Sequence, residues 1–144
     1  MASIQYNPAG VVCSFANIEL NGGFAPDGGI AIEWVTPEFR TSVAGTWGDV
    51  AYASKLDRRA KITFSMLRGT PQANLLRQMA IENLAAIQAG NPVAFAPFTL
   101  EDRSSGTRYI GPEACITALP SDEFKSEAGT VEYVIEVAAL AIDA

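Results

Sequence analysis

Carboxylates are the side chains of this sequence that come closest to a catalytic pattern. They occur as three near-neighbour pairs: Glu132 with Glu136, Glu101 with Asp102, and Asp122 with Glu123. Glycosidases divide acid and base roles between two carboxylates that lie roughly 5–9.5 Å apart. On one face of a strand, Glu132 and Glu136 would stand about 13 Å apart. Only carboxylates brought together from different strands could therefore do this chemistry, because adjacent acids in loops are typical of solvated surface.

The other usual catalytic and metal-binding groups are scarce. The sequence has no histidine, which removes the commonest general base and most zinc sites. Cys13 and Cys115 each lie in an apolar, strand-like run, so buried thiols are expected. The glycine-rich "NGGFAPDGG" (residues 21–29) lacks the phosphate-loop spacing and opens no helix, which predicts a pair of turns. We expect no enzyme, no cofactor and no metal.

Size and charge narrow the function further. The chain has 144 residues, 49% of them hydrophobic and 18% charged, which fits one domain over residues 1–144. The formal net charge of −6 argues against binding to nucleic-acid phosphates, which needs clustered Lys and Arg. Neither a signal peptide nor an apolar run long enough to span a bilayer is recognisable. We expect a soluble protein made in the cytoplasm, without a membrane partner.

Alternating apolar residues predict β-strands on both sides of a long connection, residues 36–59, and again near the C-terminus. The first two strands are predicted to form a hairpin with this connection at its tip. The inward faces would carry Ile30, Ile32 and Trp34 in "GIAIEW", Ile62, Phe64 and Met66 in "AKITFSML", and Val131, Tyr133, Ile135 and Val137 in "GTVEYVIEV".

Two further strands are predicted around a turn. Residues 93–102 and 107–119 flank "RSSG", a plausible hairpin turn. Pro97 and Pro112 cannot donate a ladder hydrogen bond, so these strands should be edges or irregular at those points. The fold class is mainly antiparallel β with one helix, a sandwich or barrel.

The helix is predicted over residues 70–90. Thr70 can cap its N-terminus, Pro71 suits the first helical position, and Gly90 followed by "NP" ends it. At 100° per residue the core-facing stripe contains Leu76, Met79, Ala80, Leu84 and Ile87. The opposite polar face could contact either solvent or another protein.

Residues 36–59 are too long and too apolar for a simple hairpin turn. Hairpins usually close in two to five residues, and long connections without their own structure are uncommon unless they are functional or disordered. Apolar side chains in an exposed loop indicate that the loop lies against another surface.

The segment "SVAGTWGDVAYASKLDRRAKITFSMLRGTPQANLL" (residues 42–76) resembles the tail tube proteins of tailed bacteriophages, especially those with contractile tails. The order of elements is similar over nearly the whole chain. Trp47 departs from what such a loop should contain. The matching residues are Gly45, Gly48, Asp49, Asp57, Arg58, Ile62, Phe64, Leu67, Thr70, Pro71, Asn74 and Leu75.

The resemblance implies a structural virion protein that catalyses no reaction. Such proteins have a β-sandwich or barrel with one packed helix and are related to type VI secretion tubes. They form hexameric rings that stack into a hollow tube through which DNA passes without specific binding. The implied partners are other copies of the chain, the sheath, the baseplate or initiator, and the tape measure protein. Assembly would take place in the host cytoplasm.

Two groups of residues follow as candidate sites. Residues 36–59 would be an inter-ring and inter-subunit arm that orders against an adjacent ring when the tube forms, with a compact Ω-loop on its own domain as the alternative. Its apolar anchors would be Phe39, Val43, Trp47, Tyr52 and Leu56, and its register-setting charges Arg40, Asp49, Lys55, Asp57 and Arg58. The predicted lumen residues are Glu33, Glu132 and Glu136, with ordinary solvent-facing glutamates as the alternative.

Three other functions remain open at this point. A tail terminator, completion or capsid-decorating protein would form a single ring or a capped surface and would not stack indefinitely. A secretion-system tube protein would share the ancestry but belong to a bacterial machine. A small enzyme or ligand-binding barrel would need a sizeable pocket with convergent polar groups.

Overall fold

The computed structural model describes residues 10–20, 22, 24, 29–120 and 129–143. Within these residues the chain forms ten strands and one helix. In chain order they are β1 (Val11–Phe15), β2 (Ile18–Glu19), β3 (Ile30–Trp34), β4 (Arg40–Ala44), β5 (Val50–Ser54), β6 (Ala60–Leu67), α1 (Pro71–Gln88), β7 (Ala96–Asp102), β8 (Thr107–Ile116), β9 (Thr130–Val137) and β10 (Ala141–Asp143).

Eight strands form one antiparallel sheet in the order β2-β1-β7-β8-β9-β6-β3, with β10 added alongside β8. The sheet curls on itself. In a flat sheet β6 and β7, three places apart, would be separated by about 14 Å. The rings of Phe64 and Phe98 on these strands nevertheless lie with their centroids only 6.3 Å apart. The predicted class, mainly antiparallel β in a sandwich or barrel with one helix, is confirmed.

The core is built from the alternation that the sequence displays. Each of the predicted inward faces of β6 and β9 is fully buried, whereas β3 at the sheet edge buries its apolar face only in part. The predicted hairpin of β3 and β6 is present, with Ile32 opposite Ile62. Burying each large apolar side chain contributes about 1.5–3 kcal/mol. The buried residues of β6 and β9 are Ala60, Ile62, Phe64, Met66, Val131, Tyr133, Ile135 and Val137.

Proline causes the predicted irregularity between β7 and β8. The register shifts between Ala96 and Phe98, so that Pro97 forms a bulge and its carbonyl accepts a hydrogen bond from the Ala16 amide at 3.1 Å. Pro112 lies opposite the same irregularity, since pairing on β8 passes directly from Gly111 to Ala114. Neither strand is an edge at this point; the bulge lets proline sit inside the sheet.

Helix α1 begins and ends close to the predicted residues. Thr70 occupies the N-cap position, but its hydroxyl donates to the Leu67 carbonyl at 2.9 Å and makes no cap hydrogen bond. Gly90 takes a φ of +78°, a left-handed conformation that favours glycine, and ends the helix.

The predicted core stripe of the helix is wrong in its second half. Leu76 and Ala80 are buried and Met79 packs against the core, but Leu84 is 38% and Ile87 63% exposed. The helix contacts the domain through β2 and β8. The last turns instead border a small cleft of about 80 Å³ with Ile116 and Leu119. Helical periodicity identified the apolar face but could not show how far the sheet extends beneath it.

Both cysteines are free thiols, and the predicted burial holds for Cys13 but not fully for Cys115. Cys13 is buried in the core, and this burial raises the pKa of its thiol to about 12. Cys115 is half-buried on β8. The apolar run around Cys13 ends after Phe15, because Ala16 and Asn17 both adopt positive φ and turn the chain back into β2.

Gly111 is required by close packing. A Cβ at this position would overlap the Val137 side chain and touch that of Leu140. We expect Gly111→Ala to destabilise the fold by about 1–3 kcal/mol, as overpacking does, which urea unfolding would measure. Gly29→Ala is the matched control, since nothing lies within 4 Å of its added Cβ, and it should change stability by less than about 0.5 kcal/mol. Equal effects of the two substitutions would contradict this assignment.

Candidate functional site

The segment between β3 and β6 folds as a separate two-stranded ribbon, which we call the arm (residues 36–59). Strands β4 and β5 pair with each other from Arg40–Ser54 to Ala44–Val50 and form a sheet of their own. Nine of their ten residues are exposed, and Thr41 is half-buried. The segment is therefore an extended hairpin and not a compact Ω-loop packed on its own domain.

The tip of the arm presents a single large aromatic side chain. Residues 45–49 close the hairpin, with the Gly45 amide donating to the Asp49 carbonyl at 2.6 Å and the Gly48 amide to the Gly45 carbonyl at 3.2 Å. Gly48 has a φ of +88°, which a residue with a side chain would adopt only under strain. Between the two glycines, Trp47 is 94% exposed, the highest exposure of any large apolar residue described.

The other predicted anchors are exposed too. Phe39 and Leu56 lie at the foot of the arm, where the Lys55 amide donates to the Phe39 carbonyl at 2.9 Å and extends the ladder. Val43 and Tyr52 lie on opposite faces of the ribbon, because Val43 pairs with Ala51 and Tyr52 with Ser42. An isolated two-stranded hairpin is marginally stable in water. Apolar groups on both faces therefore favour contact with another surface.

A polar clasp fixes the foot of the arm to the sheet. The Asp57 carboxylate accepts hydrogen bonds from Arg59 Nε and Nη2, both at 3.0 Å, and from the Thr36 hydroxyl at 2.7 Å. The Val35 amide donates to the Arg59 carbonyl at 3.0 Å, and Arg59 Nη1 lies 3.9 Å from Glu136 Oε1. The hydrogen bonds from Arg59, followed by that from Thr36, hold the Asp57 pKa well below its usual range.

The clasp changes the role of one predicted residue. The sequence places Asp57 among the charges that could face a neighbouring subunit, whereas its carboxylate is paired within its own chain. The sequence did not identify Arg59, the partner of Asp57, as a site residue. The remaining candidate charges, Arg40, Asp49, Lys55 and Arg58, form no ion pair with other residues in the described part of the chain.

A cleft opens beside the clasp, and we call it the foot cleft. It has a volume of about 690 Å³ and lies between the end of β3, the arm foot and the start of β10. The Leu140 amide donates to the Arg58 carbonyl at 3.1 Å and joins two of its walls. Its lining is apolar apart from one guanidinium and includes Trp34, Pro37, Phe39, Arg58, Leu140 and Ile142.

The predicted lumen glutamates lie on one outward face of the sheet, but that face is not purely acidic. Glu33 on β3 and Glu136 on β9 both stand opposite Lys61 on the strand between them. Glu136 also faces Arg59. Glu132 is exposed and stands opposite Ser65. The sequence places Lys61 on the same face, yet only the register shows that it separates two of the acids.

Other sites of chemistry are not evident in the residues that the structure describes. A second open groove of about 560 Å³ lies between β3 and the β7–β8 turn, lined by Ile30, Ile32, Asp102 and Tyr109 among others. Within the described ranges, no group of three or more acidic, cysteine or histidine side chains could hold a metal ion. The one helix found there lacks the long apolar sequence that a membrane crossing requires.

Comparison with known proteins finds solved structures of similar architecture. No family model matches the chain, and no curated protein matches it either. One similar structure is the sheath/tube terminator of the PVC extracellular contractile injection system, in its extended state. It has a TM-score of 0.64 and 13% identity over 100% of both chains. The chain has the fold of contractile injection system tail components.

Two further structures agree with this likeness. The tube-terminating cap of the anti-feeding prophage has a TM-score of 0.63 and 14% identity, covering 99% of this chain and 93% of that one. A chain of the PVC sheath–tube complex has a TM-score of 0.60 and 14% identity, covering 97% of this chain and 92% of that one. The tail-tube-like fold predicted from the sequence is confirmed.

The clasp predicts a pH dependence of the arm foot. Because the folded-state pKa of Asp57 is lowered, its stabilising contribution is present above about pH 4, the ordinary carboxyl value. It is lost progressively as the pH falls further towards the folded pKa. Asp57→Asn should therefore be less stable than the wild type at pH 7, and this difference should narrow below about pH 4.

Hydrogen exchange of the Val35 amide provides a local measurement, since this amide donates across the clasp. It should exchange faster in Asp57→Asn at neutral pH. Glu38→Gln is a control, because Glu38 lies in the same segment, is exposed and has no partner in the clasp. Protection that is unchanged in Asp57→Asn would show that the clasp does not hold the foot.

Proposed function

We propose that this protein is a ring-forming terminator of a contractile tail or injection particle. The observation that carries the proposal is the end-to-end match with the PVC sheath/tube terminator, which covers all of both chains. The match with a second tube-terminating cap supports the same function. In this role the ring ends the growth of the tube and catalyses no reaction.

A tube subunit is the second candidate. The likeness to a chain of a sheath–tube complex favours it, as does the resemblance of residues 42–76 to tail tube proteins. The two candidates share the hexameric ring and differ in whether rings stack. A terminator ring has one free end, whereas a tube subunit binds further copies on both sides.

The arm is the proposed contact between subunits. It exposes six large apolar side chains on a ribbon that adds nothing to the buried core. Exposed apolar clusters of this kind mark interaction sites in soluble proteins. The outward face of β3, β6 and β9 is the proposed wall of the channel. Its alternating charges would give neither DNA nor another cargo a strong electrostatic hold.

The proposed partners are further copies of this chain, the tube end and the sheath, with the baseplate and tape measure protein as more distant members of the same particle. We propose that the particle is the protein's final location, whether it is a phage virion or an injection system.

Ring formation is tested by negative-stain electron microscopy of the purified protein over a concentration series, with mass measured by light scattering. Single closed rings are expected. Long hollow tubes with a regular axial repeat would show that the protein is a tube subunit and not a terminator. Monomers at every concentration would overturn both candidates.

Removing the arm should abolish ring formation and leave the domain folded. Replacing residues 41–53 by Asn-Gly joins Arg40 to Ser54, which are already paired, through a favourable two-residue turn. The thermal midpoint should stay close to that of the wild type, since the replaced residues bury nothing in the core. Rings formed by this variant at wild-type concentrations would contradict an assembly role for the arm.

A further inference from the structure

We infer that Trp47 at the arm tip of one copy inserts into the foot cleft of the next copy, with Asp49 of the tip facing Arg58 of the cleft. This inference rests on the proposed ring-forming function and names the contact that closes the ring. It commits to a second copy of this chain as the occupant of the cleft.

The tip does not bind its own cleft. The paired strands of the arm extend about 17 Å from the foot at about 3.3 Å per residue, and Trp47 is 94% exposed within its own chain. The cleft is likewise open, with Phe39 58% and Ile142 53% exposed on its walls. Each copy therefore presents an exposed indole at the arm tip and an unfilled foot cleft.

Size and charge favour the foot cleft over the two other cavities described above. The cleft beside the helix, at about 80 Å³, is too small for an indole. The groove next to β3 is large enough, but its lining contains Asp102 and no basic side chain, so it would repel Asp49. The foot cleft contains Arg58 and no acidic side chain.

The foot cleft also has the right chemistry for tryptophan. Phe39 and Trp34 provide aromatic surface against which an indole can pack, and the Arg58 guanidinium can lie over its ring. Arg58 and Asp49 form no ion pair with residues in the described ranges, so a pair between copies breaks no existing one there. The same contact would bury the apolar tip and neutralise both charges.

A contact between two different surfaces of one chain is heterologous. Repeated from copy to copy, such a contact closes into a ring where its rotation divides a full turn and otherwise builds an open helical filament. In a closed ring every copy has both its tip and its cleft occupied, so the proposed contact requires no other protein.

Complementation between two variants tests the contact. Trp47→Ala removes the tip, and Ile142→Glu places an acid in the cleft opposite Asp49. Each variant alone should stay monomeric where the wild type forms rings, with at least about 30-fold weaker association for Trp47→Ala. An equimolar mixture should form dimers and nothing larger, since only one working tip and one working cleft remain. Native mass spectrometry and sedimentation velocity measure these species.

Controls separate assembly from folding. Ile87→Ala is the control for loss of exposed apolar surface. Ile87 is about as exposed as Ile142 but lies on helix α1, far from Trp47 in the sequence, so this variant should leave the rings intact. Thermal unfolding must be unchanged in each variant. If Ile142→Glu does not fold, Arg58→Asp serves as the cleft variant. Combining Arg58→Asp with Asp49→Arg in one chain should then restore rings that either change alone weakens.

The alternative outcomes are distinct. Wild-type rings that persist in Trp47→Ala would overturn the tip–cleft contact and leave the ring proposal standing. Loss of rings in Trp47→Ala but not in the cleft variants would show that the tip binds a surface other than the foot cleft, and would overturn the tip–cleft contact. If Trp47→Ala forms rings but no longer joins tube or sheath, the occupant is a different protein. A wild type that forms no rings overturns both proposals.

Discussion

The structure depends on strand β6 being paired on both sides while it buries one face. All eight of its residues pair with β9, and five of them pair with β3. Its inner face contributes four fully buried side chains to the core. Since the arm leaves the domain between β3 and β6, the same ladder that forms the core also sets the direction in which the arm projects. The Asp57–Arg59 clasp stands at this junction and couples the two.

This arrangement separates the buried core from the exposed arm. Inside the domain, side chains on alternate positions of the strands are removed from water, and the curled sheet accommodates a bulge at Pro97 and tight packing around Gly111. Outside it, the arm keeps apolar groups exposed on both of its faces. A hairpin of this kind gains little stability by itself, so its free energy is lowered chiefly by binding. Because the clasp already holds the foot of the arm in place, the arm would lose less conformational entropy on binding.

The pattern of charges on the outward face of the sheet is set by strand register more than by the overall composition. The chain carries a net charge of −6, yet its outward face alternates acid and base because Lys61 stands between Glu33 and Glu136. Arg59 adds a second positive charge beside Glu136 and at the same time holds Asp57. One arginine therefore links this outward face of the sheet to the arm. The arm foot and its cleft keep a separate positive charge, Arg58, that the clasp does not use.

The sequence by itself determined the elements whose signals are local. Alternation identified the buried faces of β6 and β9, Pro71 and Gly90 marked the ends of the helix, and "RSSG" marked a turn, because each depends on the conformations of a few consecutive residues. It also singled out residues 36–59, since apolar side chains there had no place in a simple turn. The exposure of Leu84 and Ile87, the pairing of Asp57 with Arg59 and the position of Lys61 needed the tertiary structure. The foot cleft needed it most, because Trp34 and Ile142 are more than a hundred residues apart in sequence and meet only when the curled sheet brings β3 and β10 together.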